Sequence, residues 1–211
     1  NMTNIANVHQ NFNKKPTLIR VSIFINDDVA KQTRPITREY PTGREFFSEL
    51  FPKHNNQPSH ITFFSIFVFP DDSETVGLFA PWEVADSIET CILPLIVHEE
   101  LDSLSEILLD CDVEHIVSTS LRHTPSKPEY FVYIPLHTSV ILRHLAVSWN
   151  HIGRQLGLNN PSIDALFGLR PLPSCPPEYQ SSAFSMYQAG QPLKGTVLSG
   201  EDAQKKMMGL L

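Results

Sequence analysis

Ten consecutive residues, His60 to Phe69 (HITFFSIFVF), form the most apolar run in the chain and constrain its fold more than any other stretch. They are rich in Phe, Ile and Val and are bounded by Pro58 and by Pro70-Asp71-Asp72. Without alternation of polar and apolar residues, such a run predicts a central strand buried on both faces.

The residues before it predict the elements that cover it. Residues 1–16 are polar and without periodicity, a tail. From Thr17 to Asn26 the sequence alternates, with Ile19, Val21, Ile23 and Ile25 on one face and Leu18, Arg20, Ser22, Phe24 and Asn26 on the other. That pattern is a strand with one strongly apolar side. Asp27-Asp28 supplies a turn, and a weaker strand is expected over about Thr33–Tyr40. Pro41-Thr42-Gly43 leads into a helix over Arg44–Phe51, with Phe46, Phe47, Leu50 and Phe51 at helical spacing and Pro52 as its stop. A further strand is expected over Thr75–Phe79. Strand, strand, helix, strand is the element order of a β-grasp, and split βαβ units share it.

Trp82 to Asp110 reads as helical in two segments. Val84, Ile88, Cys91 and Ile92 lie in the first; Val97, Leu101, Leu104, Leu108 and Leu109 lie in the second, with Pro94 separating them. His115–Leu121 and Tyr130–Ile134 read as strands joined by the turn-rich His123–Pro128, either as a hairpin or as additions to the first sheet. His123–Glu129 is also the best place for a boundary, dividing an α+β domain over 17–128 from a helical module over 129–211.

Within that module, Ile141, Leu142, Leu145 and Ala146 predict one helix, and Trp149, Ile152 and Leu156 a second that starts at a Ser148 N-cap. Gly157 stands where a helix ending near Leu156 needs a left-handed residue. Asn160-Pro161 opens a third helix with Ile163, Leu166 and Phe167 on its apolar edge. Pro176-Pro177-Glu178 opens a fourth, with Tyr179, Ala183, Met186 and Tyr187 on one face, closed near Gly190. Ser199-Gly200-Glu201-Asp202 starts a fifth, with Ala203, Met207 and Leu210 inside.

The order Trp149, Ile152, Leu156-Gly157-Leu158, a polar pair and Ile163-Asp164 resembles the second and third helices of death-fold domains, six-helix interaction modules of signalling adaptors. Ile134-Pro135-Leu136 before an apolar helix is similar to the start of the first helix in death domains of netrin-receptor-like proteins. The resemblance covers 134–211. It departs from the family in having Tyr187 where a tryptophan is usual, a proline-rich loop over 168–175, and no sixth helix after Leu211. An ordinary helical subdomain packed on its neighbour is the other reading of the same residues. The resemblance implies an adaptor or scaffold subunit of a signalling complex that binds protein through the exposed sides of its second and third helices, including Arg154, Gln155, Asn159 and Asp164.

A catalytic alternative rests on two tripeptides, His60-Ile61-Thr62 and His137-Thr138-Ser139, which resemble the two His-x-Thr/Ser motifs of two-histidine phosphoesterases. In such enzymes one imidazole takes a proton, the other gives one, and the hydroxyls hold phosphate oxygens. Here His60, Thr62, His137 and Ser139 would fill those roles, provided both tripeptides lie on strands facing one groove. Alternatively, Thr138 or Ser139 caps a helix starting near Val140.

Pro176-Pro177-Glu178-Tyr179 has the PPxY form that WW domains bind; it acts only if exposed and extended, and is silent if Tyr179 faces a helical core. Glu99, Glu100 and Asp102 read as the wet side of a helix, and Cys111 near His115 as coincidence. There is no Gly-rich phosphate loop, no G-x-S-x-G elbow and no His/Cys metal spacing, so neither cofactor nor metal is implied.

A formal charge of −7 with 16 Lys and Arg argues against general nucleic-acid binding. Three cysteines, Cys91, Cys111 and Cys175, predict free buried thiols in a reducing compartment. The absence of a bilayer-length apolar run leaves a cytoplasmic or nuclear location, and a homo- or hetero-oligomer is compatible with all of this. Seventeen prolines against nine glycines predict stiff junctions between short elements. The leading expectation is an α+β chain with a C-terminal helical bundle, acting as a non-enzymatic protein-binding module. A viral host-interaction factor is a further alternative.

Overall fold

The structure, a computed structural model, describes residues 18–25, 36–51, 61–68, 88–120, 122–159, 161–162, 170–171 and 177–193. Its strands are β1 (Ile19–Ile25), β2 (Ile36–Tyr40), β3 (Ile61–Ser65), β4 (Phe67–Val68), β5 (Glu89–Val97), β6 (His115–Thr119), β7 (Tyr130–Ile141), β8 (Arg170–Pro171) and β9 (Ser185–Gln188). Three helices, α1 (Gly43–Leu50), α2 (Leu101–Asp110) and α3 (Leu142–Gln155), and a 3-10 turn over Pro177–Ser182 complete the described elements. The strands make a four-stranded sheet ordered β2-β1-β3-β8 and a five-stranded sheet ordered β4-β5-β7-β6-β9. Every pairing between these strands is antiparallel.

In the first sheet the alternation of β1 does what it predicts, placing Ile19, Val21 and Ile23 in the core. Ser22 on the other face is buried as well, so both sides of the strand are covered there. Thr42 caps α1 by accepting the Glu45 N–H (3.2 Å), a contact worth about 1 kcal/mol, and Phe46 and Leu50 turn inward. The β-grasp expectation fails on direction. The strand after the helix, β3, lies directly beside β1 and antiparallel to it, whereas a β-grasp seats its last strand there, in parallel.

The apolar run over 60–69 is not one strand. It bends at Ile66 and passes from the first sheet, where Ser65 pairs with Ser22, to the second, where Phe67 pairs with Thr90. The Thr90 hydroxyl pins the bend by donating to the Ile66 carbonyl (2.8 Å). Beyond the bend β1 loses its β3 partner, and the Arg20 N–H donates instead to Cys91 Sγ on β5 (3.1 Å).

The second sheet overturns the helical reading of 88–97. Glu89–Val97 is a strand, buried from Thr90 onward. Pro94 is tolerated in it because of where its missing N–H would point. Ile96 exchanges both backbone hydrogen bonds with Ser162 (2.7 and 2.9 Å), away from β7, and Pro94 shares that orientation two residues earlier. The Ile92 N–H, aimed the same way, is taken by the Thr90 hydroxyl (3.1 Å). α2 forms where expected, with Leu104 and Leu108 inside, but Leu109 faces solvent.

β6 and β7 pair as a hairpin, one of the two arrangements expected, so the proposed division at 128/129 runs through a hairpin connection whose two strands share one core. β7 then continues to Ile141, well past the expected end at Ile134. α3 is a single fourteen-residue helix with no break at Ser148. Leu145 and Ile152 face the core from it, and Gly157 ends it at φ +82°, as its position predicts.

The helical module is therefore corrected. Ser162 pairs with β5 instead of starting a third helix, Pro177–Ser182 is a 3-10 turn, and Ser185–Gln188 is the edge strand β9 on β6. The described residues of the C-terminal third are mostly strands of antiparallel sheets with the single helix α3, and are not a death-fold bundle. The expected fifth helix and the strand at Thr75–Phe79 lie outside the described residues.

Aromatic rings fasten α1 to the second sheet. Phe51 meets Tyr133 edge-on (5.4 Å between ring centres) and Phe47 meets Tyr187 (5.8 Å), covering the face that carries Ile116. The opposite face, with Leu93, Leu95, Val132 and Ile134, is equally buried, and α3 lies against β5 and β7.

Candidate functional site

The residues singled out in the sequence fall in different places. His137-Thr138-Ser139 lies on β7, a strand as the two-histidine arrangement requires, and does not cap a helix. It occupies an irregular stretch: β5 pairs Ile92 with Pro135 and Thr90 with Val140, so Leu136 to Ser139 stand opposite Cys91 alone. Bulges of this kind re-aim side chains. The His137 N–H donates to the Leu193 carbonyl (3.0 Å). The Ser139 hydroxyl donates to Glu89 Oε2 (3.0 Å), the oxygen that also receives Arg20 Nη2 (3.3 Å). A phosphate approaching Ser139 would meet that carboxylate. Thr62 belongs to β3 in the other sheet, and His60 and Asp164 lie outside the described residues.

Arg154 and Gln155 are exposed on the last turn of α3. Asn159, also exposed, gives its backbone N–H to Glu99 Oε1 (2.7 Å). Glu178 is exposed on the 3-10 turn, so Pro177-Glu178-Tyr179 is not in the extended form a WW domain reads; Pro176 lies outside the described residues.

The Asn159 contact leads to the polar end of the central sheet. There the chain leaves β5 at His98-Glu99-Glu100, and residues 120–129 connect β6 to β7. Ser120 and His123 are buried, so the connection must satisfy its own polar groups. The Ser120 N–H donates to the Glu129 carbonyl (3.2 Å), and its hydroxyl bonds the Glu129 carboxylate. The Ser120 side-chain oxygen also accepts the Arg122 N–H (3.0 Å), while the Ser120 carbonyl accepts the His123 N–H (3.1 Å). Thr124 and Lys127 close the tip through paired backbone bonds (3.2 and 3.1 Å).

Two imidazoles share one peptide unit at the base of this connection. His98 Nδ1 lies 3.3 Å from the Pro128 carbonyl, and His123 Nδ1 lies 3.3 Å from the Glu129 N–H. A carbonyl only accepts and an amide N–H only donates, so His98 carries its proton on Nδ1 and neutral His123 carries its proton on Nε2. The His123 ring packs on Tyr130 (5.0 Å), which meets Phe184 (5.8 Å). Glu99 is equally occupied: one oxygen accepts the His98 N–H (3.1 Å), the other the Asn159 N–H. It is a hydrogen-bonding hub ahead of α2, not the wet side of a helix. His98, Ser120, His123 and Glu129 belong to no sequence motif. Their one signal is position, at the ends of buried strands or in the connection between two of them.

Two further titratable side chains, His115 and Cys91, are buried. His115 on β6 is buried and bonds the Val113 carbonyl through Nδ1 (2.8 Å); burial pushes its pKa down, opposed by that bond. A group whose folded pKa is depressed binds its proton more readily unfolded. Stability is therefore full above the unfolded imidazole value of 6.5 and falls as pH drops through it. Urea midpoints should decline from about pH 7.5 to about pH 5.5, and His115→Asn should flatten that decline. Burial likewise raises the Cys91 thiol, whereas Cys111 is exposed, contrary to expectation. Cys175 lies outside the described residues.

Among the described residues no group of three or more His, Cys, Asp or Glu is set to hold a metal, and no helix is long and apolar enough to cross a membrane. The chain matches no family model, no curated protein and no solved structure.

Proposed function

We propose that this chain is a non-enzymatic protein-binding subunit, an adaptor or scaffold component, whose contact surface is the end of the central sheet around Arg154, Gln155 and Asn159. The carrying observation is how the side chains there are used. Glu99, Ser120, His123 and Glu129, types that often do chemistry, are committed to hydrogen bonds that hold the backbone in place. The exposed Arg154, Gln155 and Asn159 follow one another at and just beyond the end of α3, and the Glu99 to Asn159 bond fixes this ledge to the end of β5. A pre-shaped polar ledge loses little freedom on binding and selects partners by charge.

The test has two steps. Affinity purification with mass spectrometry identifies a partner, and its affinity is then measured for wild type and for Arg154→Glu combined with Gln155→Glu. The double variant should bind at least about tenfold more weakly with unchanged thermal stability. Equal affinity would place the contact elsewhere.

A second reading, the two-histidine phosphoesterase, is favoured by the strand bulge that carries His137-Thr138-Ser139. The Glu89 carboxylate on Ser139 weighs against it. Hydrolysis of a phosphodiester probe by wild type, abolished in His137→Ala, would establish it in place of the adaptor reading.

A further inference from the structure

We infer that the peptide shared by His98 and His123 is an acid-sensitive latch on the connection between β6 and β7, in which His123 is the sensor and His98 the fixed side. The asymmetry comes from the two hydrogen bonds. His98 already donates through Nδ1 to the Pro128 carbonyl, so a second proton on Nε2 leaves that bond intact. His123 accepts through Nδ1 from the Glu129 N–H, so its second proton must go onto the atom making the bond. Two donors then face each other and the bond is lost. One peptide is therefore held on its carbonyl side at any pH and on its amide side only while His123 is neutral.

The surroundings set how far the loosening spreads. Within the connection His123 is accompanied by Ser120, Arg122 and Glu129, and on β7 by the Tyr130 ring backed by Phe184. From the β5 side, His98 faces the same peptide unit, and the neighbouring Glu99 carboxylate accepts the His98 backbone N–H. Ser120 bonds both the Glu129 backbone and its carboxylate, so the base of the connection depends on Glu129 staying in place. Release of the Glu129 N–H loosens residues 120–129 as a unit, whereas the Glu99 to Asn159 bond belongs to a different strap. The latch is a property of the free chain and operates whether or not the ledge binds a protein.

Hydrogen exchange on the free chain tests it. After correction for intrinsic rates, protection across 120–129 should fall about tenfold between about pH 8 and about pH 5 in wild type, with 101–110 of α2 as internal reference. His123→Asn keeps an acceptor near the Nδ1 position and does not titrate, so its protection should not change with pH. His98→Asn should retain the wild-type acid response. An acid response undiminished in His123→Asn, or its absence in wild type, overturns the latch. Should His123→Asn fail to fold, nitrogen shifts of the wild-type imidazoles at neutral pH decide. The Nε2–H form of His123 and the Nδ1–H form of His98 are required, and the Nδ1–H form of His123 refutes the mechanism.

Discussion

Ile134→Ala should lower the unfolding free energy by about 3–4 kcal/mol. Ile134 is fully buried at the middle of β7, directly opposite Leu93 of β5. Val132 and Leu136 flank it on the same face, and Leu95 lies opposite Val132. Because the sheet is covered on both sides, the backbone has little freedom to collapse into the space the side chain leaves, so most of the cavity cost remains. Urea unfolding at neutral pH measures the loss through the midpoint, with an unchanged slope showing that the fold is retained. Had Ile134 merely preceded the first helix of a detached bundle, truncation would cost well under about 2 kcal/mol, in line with substitutions outside packed cores.

Gly190→Ala should cost roughly 2–3 kcal/mol for the opposite reason, too much atom instead of too little. A methyl group at Gly190 would fall 2.5 Å from the Val113 carbonyl carbon and 2.6 Å from the Glu114 nitrogen, both backbone atoms that cannot rotate away. The next residue, Gln191, is bonded on both sides, its N–H to the Asp112 carbonyl (2.9 Å) and its carbonyl to the Glu114 N–H (2.9 Å). Relief of the clash must therefore pull the segment after β9 off the start of β6. Exchange protection at Glu114 and Gln191 should fall together with the thermal midpoint; a variant as stable as wild type would mean that the segment is not seated there.

The legible parts of the fold are those in which local chemistry and tertiary context agree. β1 alternates because one face meets the core, α1 carries its Thr42 cap, and Gly157 ends α3 with the backbone only glycine adopts easily. β5 reads wrongly as a helix because residues 91–97 are apolar throughout, and a strand buried on both faces has no period to read. Pro94 looks like a helix break, since nothing local shows that its nitrogen faces away from the neighbouring strand. β9 misleads differently. Ala183, Met186 and Tyr187 have helical spacing, yet the last two are neighbours on opposite faces of a half-buried edge strand. The boundary between β7 and α3 is hidden because Val140-Ile141 and Leu142 are apolar on both sides of the change. The polar end of the sheet is equally hidden: His98, Ser120, His123 and Glu129 come from separate stretches that meet only once β5, β6 and β7 pair.

Expression of residues 129–211 alone tests most directly whether the C-terminal third belongs to the central sheet. In that fragment β7 lacks β5 and β6, and β9 lacks β6, so circular dichroism and amide dispersion should show an unfolded chain without a cooperative thermal transition. A fragment that melts cooperatively with a strongly helical spectrum would contradict the sheet and return the region to an independent bundle.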